Sequence, residues 1–147
     1  MSFDVMGVFE VTWMAPRERS VDHMWQMALS LDVFCLRGDA VSDHLFGLCR
    51  EPTGRARFAG RGAPADGSPW TKMEVAQHLA ASRGRSEGSF GHTHATLGEV
   101  EAALRASDAP PVSGSSWEGV FETVAALRRV APGLPLDCWR FVVWASW

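Results

Sequence analysis

Two segments that read as strands, one near each end of the chain, constrain its fold more than anything else in the sequence. Residues 3–14 set Val5, Phe9, Val11 and Trp13 on one parity, with Glu10 and Thr12 between them. That two-residue period is the signature of a half-buried strand. Residues 138–146 read as a second strand, rich in β-branched and aromatic side chains.

The segments between them read mostly as helices. Ser20 is placed to cap a helix over 21–31, with Val21, Met24, Trp25, Ala28 and Leu29 on one face. Ser42 is placed to cap a shorter helix that turns Leu45, Phe46 and Cys49 inward. Thr71-Lys-Met-Glu is a capping box opening a helix to about Arg83, and Thr96-Leu-Gly-Glu99 opens another to about Ala106. A short strand is expected over Phe90–Ala95. Ser116 precedes the best-patterned helix, 117–131, which Pro132-Gly-Leu-Pro135 stops. Strands separated by helices without regular βαβ alternation predict an α+β fold. The expectation is a single compact domain over 1–147: a small mixed or antiparallel sheet, including the first and last strands, packed by four or five helices. Loops are expected at about 50–69, 84–89 and 107–116, each flexible.

Charge and special residues narrow the function classes. The net charge is −3 and the pI about 5.9, which disfavours generic nucleic-acid binding. The N-terminus lacks a basic region followed by an apolar stretch, and no apolar run approaches the ~20 residues that span a bilayer. A cytoplasmic protein without membrane contact is expected. Cys35, Cys49 and Cys138 are far apart and form no Cys-x-x-Cys pair, so they read as small core hydrophobes in a reducing compartment. No cofactor is called for.

Three features bear on a site. The segment 50–69 holds four Gly, three Pro and Arg50, Arg55, Arg57 and Arg61 in a chain with only one lysine, Lys72. Such a loop is either a solvated basic surface or a cradle for a phosphate or carboxylate. His92 and His94 share one face of a strand, as two metal ligands would. Further ligands would have to come from His44, His78, Asp43 or Asp66, so a hydrogen-bonded His pair is the better reading and no metal is expected. Seven Trp accompany eight Phe and no Tyr. Trp25 and Trp117 fall on apolar helix faces, whereas Trp70 and Trp147 are candidates for contact with a partner, together with Arg55 and Arg57. No Gly-x-Ser-x-Gly nucleophile elbow is present.

Four blocks in order carry a resemblance. They are Asp43-His-Leu-Phe-Gly-Leu-Cys, Arg61-Gly-Ala-Pro-Ala-Asp-Gly-Ser, His92-Thr-His-Ala-Thr-Leu-Gly-Glu-Val and Trp139-Arg-Phe-Val-Val-Trp. Together they resemble a family of small phage and prophage proteins with a Leu-Phe-Ala/Gly helix, an Arg-Gly-Leu-Pro-x-Asp-x-Ser loop, a His-Ser-x-x-Thr-Leu-x-Glu-Leu segment and a final Val-x-Phe-Trp strand. Ala63 and Ala95 stand where that pattern has larger residues. The resemblance places Arg61, Asp66, Ser68, His92 and Thr93 in one expected ligand site. It implies an accessory protein that stoichiometrically inhibits a host or defence protein, an anti-defence role, or that sequesters a small anionic ligand. One alternative is a small enzyme on a phosphate-containing substrate, with His92, Asp66 and Arg61 as its catalytic residues. The other is an immunity protein that neutralises a toxin.

Overall fold

The computed structural model describes residues 4–14, 25–82 and 89–146. In chain order the strands and helices are β1 (Asp4–Val11), β2 (Gln26–Ser30), β3 (Leu36–Arg37), α1 (Ala40–Phe46), α2 (Pro69–Ser82), β4 (Ser89–Thr96), α3 (Leu97–Leu104), α4 (Glu118–Val130) and β5 (Trp139–Ser146). All strand pairs are antiparallel, in the order β2-β1-β5-β4, with β3 on the start of β1. The first and last strands form the centre of the sheet, paired from Asp4–Ser146 through Val11–Trp139. The fold is the expected α+β domain, with an antiparallel sheet and, among the described residues, four α-helices.

The pleat divides the sheet into two unlike faces. Val5, Phe9 and Val11 of β1 join Trp139, Phe141, Val143 and Ala145 of β5 in the main core, under Val41, Leu45 and Phe46 of α1, Val100 of α3, and Val120 and Val124 of α4. Trp117 is fully buried there, its ring against Phe46, Phe121 and Phe141. The opposite face has a small apolar cluster, Val8, Val142 and Trp144, with Met6 and Val75 of α2 against it. Alongside it lie two charged side chains, Glu10 and Arg140, both buried.

Local chemistry explains where elements begin, and it corrects several expectations. The helix expected over 21–31 does not form across 26–30. That stretch is β2, paired with β1 at Val8–Ser30, Phe9–Leu29, Glu10–Met27 and Val11–Gln26. Pairing along an otherwise open strand edge outweighs the weak helical spacing of Ala28 and Leu29. Ser20 and the start of that helix lie outside the described residues. Asp39, not Ser42, caps α1, accepting from the N–H groups of Val41 and Ser42 at 3.1 and 3.0 Å. The Ser42 hydroxyl instead donates to the Arg37 carbonyl and accepts from the Trp117 indole.

Ser116 does not cap α4: its hydroxyl donates to Asp39, and α4 starts at Glu118 with no side-chain cap. Helix α2 starts at Pro69, two residues before the expected box, because proline suits the first helical position. Ser68 then accepts the Thr71 N–H. The Thr96–Glu99 box forms as expected. Residues 47–68 and 105–117 contain no helix or strand. The loop expected at 84–89 lies outside the described residues except for Ser89, which opens β4. The three cysteines are free thiols, but only Cys138 is a core residue; Cys35 is exposed and Cys49 half-buried.

Candidate functional site

The expected site residues fall into two adjoining clusters. In the first, the loop 58–62 runs along β4. The Thr93 hydroxyl donates to the Phe58 carbonyl. The Gly62 N–H donates to the His92 carbonyl at 2.9 Å, and His94 Nδ1 lies 2.9 Å from the Gly62 carbonyl. Arg61 reaches the start of α3, where its Nη1 lies 3.0 Å from both Glu99 carboxylate oxygens, and its guanidinium packs over the Phe58 ring. The anion that Arg61 meets is therefore the chain's own capping carboxylate. Burial would raise the Glu99 carboxyl. The Thr96 N–H and the Arg61 guanidinium outweigh that effect and hold it below the usual range. The His92 ring points to the α2 side of the sheet, stacked on Trp144 at 5.7 Å, with His78 of α2 at 5.4 Å from the same indole. Burial, and secondarily the nearby His78, depress its pKa.

Asp66 and Ser68 belong to the second cluster, beneath the start of α2. Its centre is the buried pair Glu10–Arg140, directly opposite each other on β1 and β5. Arg140 Nε donates to Glu10 Oε2 at 2.6 Å. The other Glu10 oxygen, Oε1, accepts the Ser68 N–H at 2.8 Å and the Thr71 hydroxyl. A carboxylate thus sits on the first turn of α2, where the helix dipole favours it. Arg140 Nη1 donates to Asp66 Oδ1 at 2.8 Å, and Asp66 Oδ2 accepts the Trp25 indole N–H at 3.1 Å. The Trp25 ring lies 4.1 Å from the guanidinium carbon, a cation–π contact. Burial would raise the Asp66 carboxyl, but Arg140 and then Trp25 hold it below its ordinary range. Arg140 Nη2 is buried and has no hydrogen-bond partner among the described residues.

Helix α2 covers this face with its polarity reversed. Thr71 is buried and Glu74, Val75 and His78 are half-buried, so three of the four inward residues are polar. The outward positions are Trp70, Lys72, Met73, Ala76, Gln77, Leu79 and Ala80, all exposed. Trp70, Met73 and Leu79 are 42%, 42% and 47% exposed. An ordinary surface helix shows the opposite arrangement.

The remaining expected contacts lie elsewhere. Arg57 pairs with Asp108 at 2.7 Å on the surface. Arg55 lines an open depression of about 560 Å³ with Asp43, His44 and Thr53, beside that pair. Trp147 lies outside the described residues. Glu10, Arg140 and Trp25 are not among the expected site residues, although a charge set among apolar residues inside each of two strands, Glu10 and Arg140, is a visible signal. Among the described residues, no group of three His, Cys, Asp or Glu side chains could hold a metal ion, and no helix is long and apolar enough to cross a membrane. No protein-family model, curated protein or solved structure matches this chain.

Proposed function

We propose that the chain is a stoichiometric binding protein of the phage accessory type, one that inhibits a host or defence protein by occupying part of its surface. The observation that carries this reading is the outward face of α2. Exposed Trp70 and Met73, neighbours at i and i+3 on the helix, are residue types that anchor protein interfaces. The helix presents a single charge outward, Lys72, so little has to be desolvated when the face is covered. Beneath it, Glu10 and Asp66 tie the α2 start to β5 through Arg140. That anchoring holds the face in place before any partner arrives, which lowers the entropic cost of association. Such a surface suits a protein partner better than a free small anion.

The test compares the wild-type chain with Trp70→Glu and Met73→Glu in affinity capture from lysate of the organism that carries the gene. The expected result is one protein retained in equimolar amount by the wild type and lost by both variants, with unchanged melting temperatures. No equimolar partner, or one that both variants retain, overturns the reading. Turnover of a nucleotide or nucleic acid by the wild type, abolished in His92→Ala, would favour an enzyme instead.

A further inference from the structure

We propose that the outer end of the Arg140 guanidinium is an oxyanion site, and that Asp66 is a displaceable internal occupant of it. A guanidinium binds a carboxylate or phosphate best through two parallel N–H···O bonds. Arg140 makes no such pair. Glu10 takes Nε alone, and Asp66 takes Nη1 alone and spends its second oxygen on the Trp25 indole. Between them Nη2 is left without a partner, in a side chain only 6% exposed. A buried donor left unpaired in this way is destabilising, because it has given up its bonds to water. The protein thus holds a charged, desolvated donor that its own residues do not use.

The two carboxylates differ in their freedom to leave. Glu10 is fully buried and fixed by Ser68 and Thr71. Asp66 is 50% exposed and is carried on a stretch without helix or strand. With Asp66 turned out to solvent, Glu10 still neutralises the guanidinium. Nη1 and the Trp25 N–H then lose the acceptor they share, beside the unpaired Nη2. Three donors on a neutral pair fit a planar carboxylate, or two oxygens of a phosphate group. The ligand class is an oxyanion, and Asp66 sets the threshold for its entry. This site is separate from the outer face of α2, and its test does not depend on that surface binding anything.

The experiment titrates acetate, and separately inorganic phosphate, at constant ionic strength held with sodium chloride. Melting temperature and tryptophan fluorescence are followed for wild type, Asp66→Asn, Arg140→Lys and Asp66→Asn with Trp25→Phe added. The expected result is a saturable rise in melting temperature for Asp66→Asn. Wild type should show the same rise with an apparent Kd weaker by about tenfold or more, since Asp66 competes. Arg140→Lys retains the charge opposite Glu10 but lacks the two-nitrogen end, and should not respond. Trp25→Phe added to Asp66→Asn should bind severalfold more weakly than Asp66→Asn alone, since the competing carboxylate is then absent from both. If Asp66→Asn does not fold alone, folding restored by acetate or phosphate supports the site. The stronger of the two responses assigns the ligand to carboxylates or to phosphates. No saturable response in wild type overturns the proposal, because Asp66 is then a fixed structural partner. An undiminished response in Arg140→Lys also overturns it.

Discussion

Glu10 and Arg140 face each other across β1 and β5 with the charged atoms 2.6 Å apart, and neither reaches solvent appreciably. Such a pair stabilises little compared with well-packed apolar residues, yet losing one partner strands the other charge in the interior. Arg140→Met should therefore cost about 3–5 kcal/mol. Adding Glu10→Leu to it should recover most of that loss, because no buried charge is left. Urea denaturation of the two single variants and the double variant checks this. A double variant no more stable than Arg140→Met would show that the pair acts through more than its charges.

Asp39 joins two elements far apart in sequence. It caps α1 through the Val41 and Ser42 N–H groups, and it accepts the Ser116 N–H and hydroxyl at 2.8 and 2.7 Å, just ahead of α4. Burial pushes its carboxyl up, but these four donors prevail and hold it below the usual value. Its folded pKa being depressed, its contribution is fully present above the unfolded value near 4 and is lost as pH falls through that value and below. Asp39→Ala should cost about 1–2 kcal/mol at neutral pH. It should also flatten the stability profile between about pH 4 and pH 2. Guanidinium titrations at several pH values measure both effects, and an unchanged acid profile would refute the assignment.

The parts of this fold that were legible in the sequence are those where one local interaction decides the structure. β1 follows from alternation, β5 from its β-branched and aromatic side chains, and α3 from the Thr96–Glu99 box. Where two residues compete for one task, the sequence does not say which wins. Asp39 and Ser42 are both competent caps, and the long-range bond from Ser42 to Trp117 settles the choice. The helical spacing over 21–31 hides β2, whose partner strand lies fifteen or more residues upstream. The site was half legible. The loop does fold onto β4, placing Arg61 and Gly62 beside His92, Thr93 and His94. Asp66 and Ser68 turn instead to Arg140 and Glu10, whose pairing depends on strand register. The reversed polarity of α2 was hidden for the same reason: Thr71 and His78 face inward only because Glu10 and Trp144 are beneath them.

Gly7 lies at the centre of the sheet, opposite Val143. A Cβ there would stand 2.2 Å from the Val142 carbonyl oxygen and 3.0 Å from the Val143 Cα, both backbone atoms that cannot turn aside. The same residue donates its N–H to Asp32 and accepts from the Leu31 N–H, so the chain cannot back away from β5 without losing both bonds. Gly7→Ala should cost about 3 kcal/mol or more, the upper end for overpacking a core. Gly133→Ala is the control, because a Cβ there meets nothing within 4 Å; it should change stability by less than about 0.5 kcal/mol. Thermal melts of the two variants decide the matter, and similar melting temperatures would contradict this account.

His92 should make the α2 side of the sheet sensitive to acid. Its imidazole is stacked on Trp144 at an interplanar angle of 18°, and His78 approaches the same indole from α2. Charging it carries a cost from burial first, and from His78 second. Its folded pKa is therefore below the unfolded value of about 6.5. For a histidine shifted downward the unfolded chain takes up the proton first. Stability is then intact above about pH 6.5 and declines as pH falls below it, levelling off once the folded form also protonates. His92→Phe retains a flat ring on Trp144 and removes the proton site. The variant should lose less stability than wild type between pH 7.5 and pH 5 in paired urea titrations. Hydrogen exchange should show the wild-type α2 amides losing protection over the same interval. Parallel declines in the two proteins would place the acid sensitivity elsewhere.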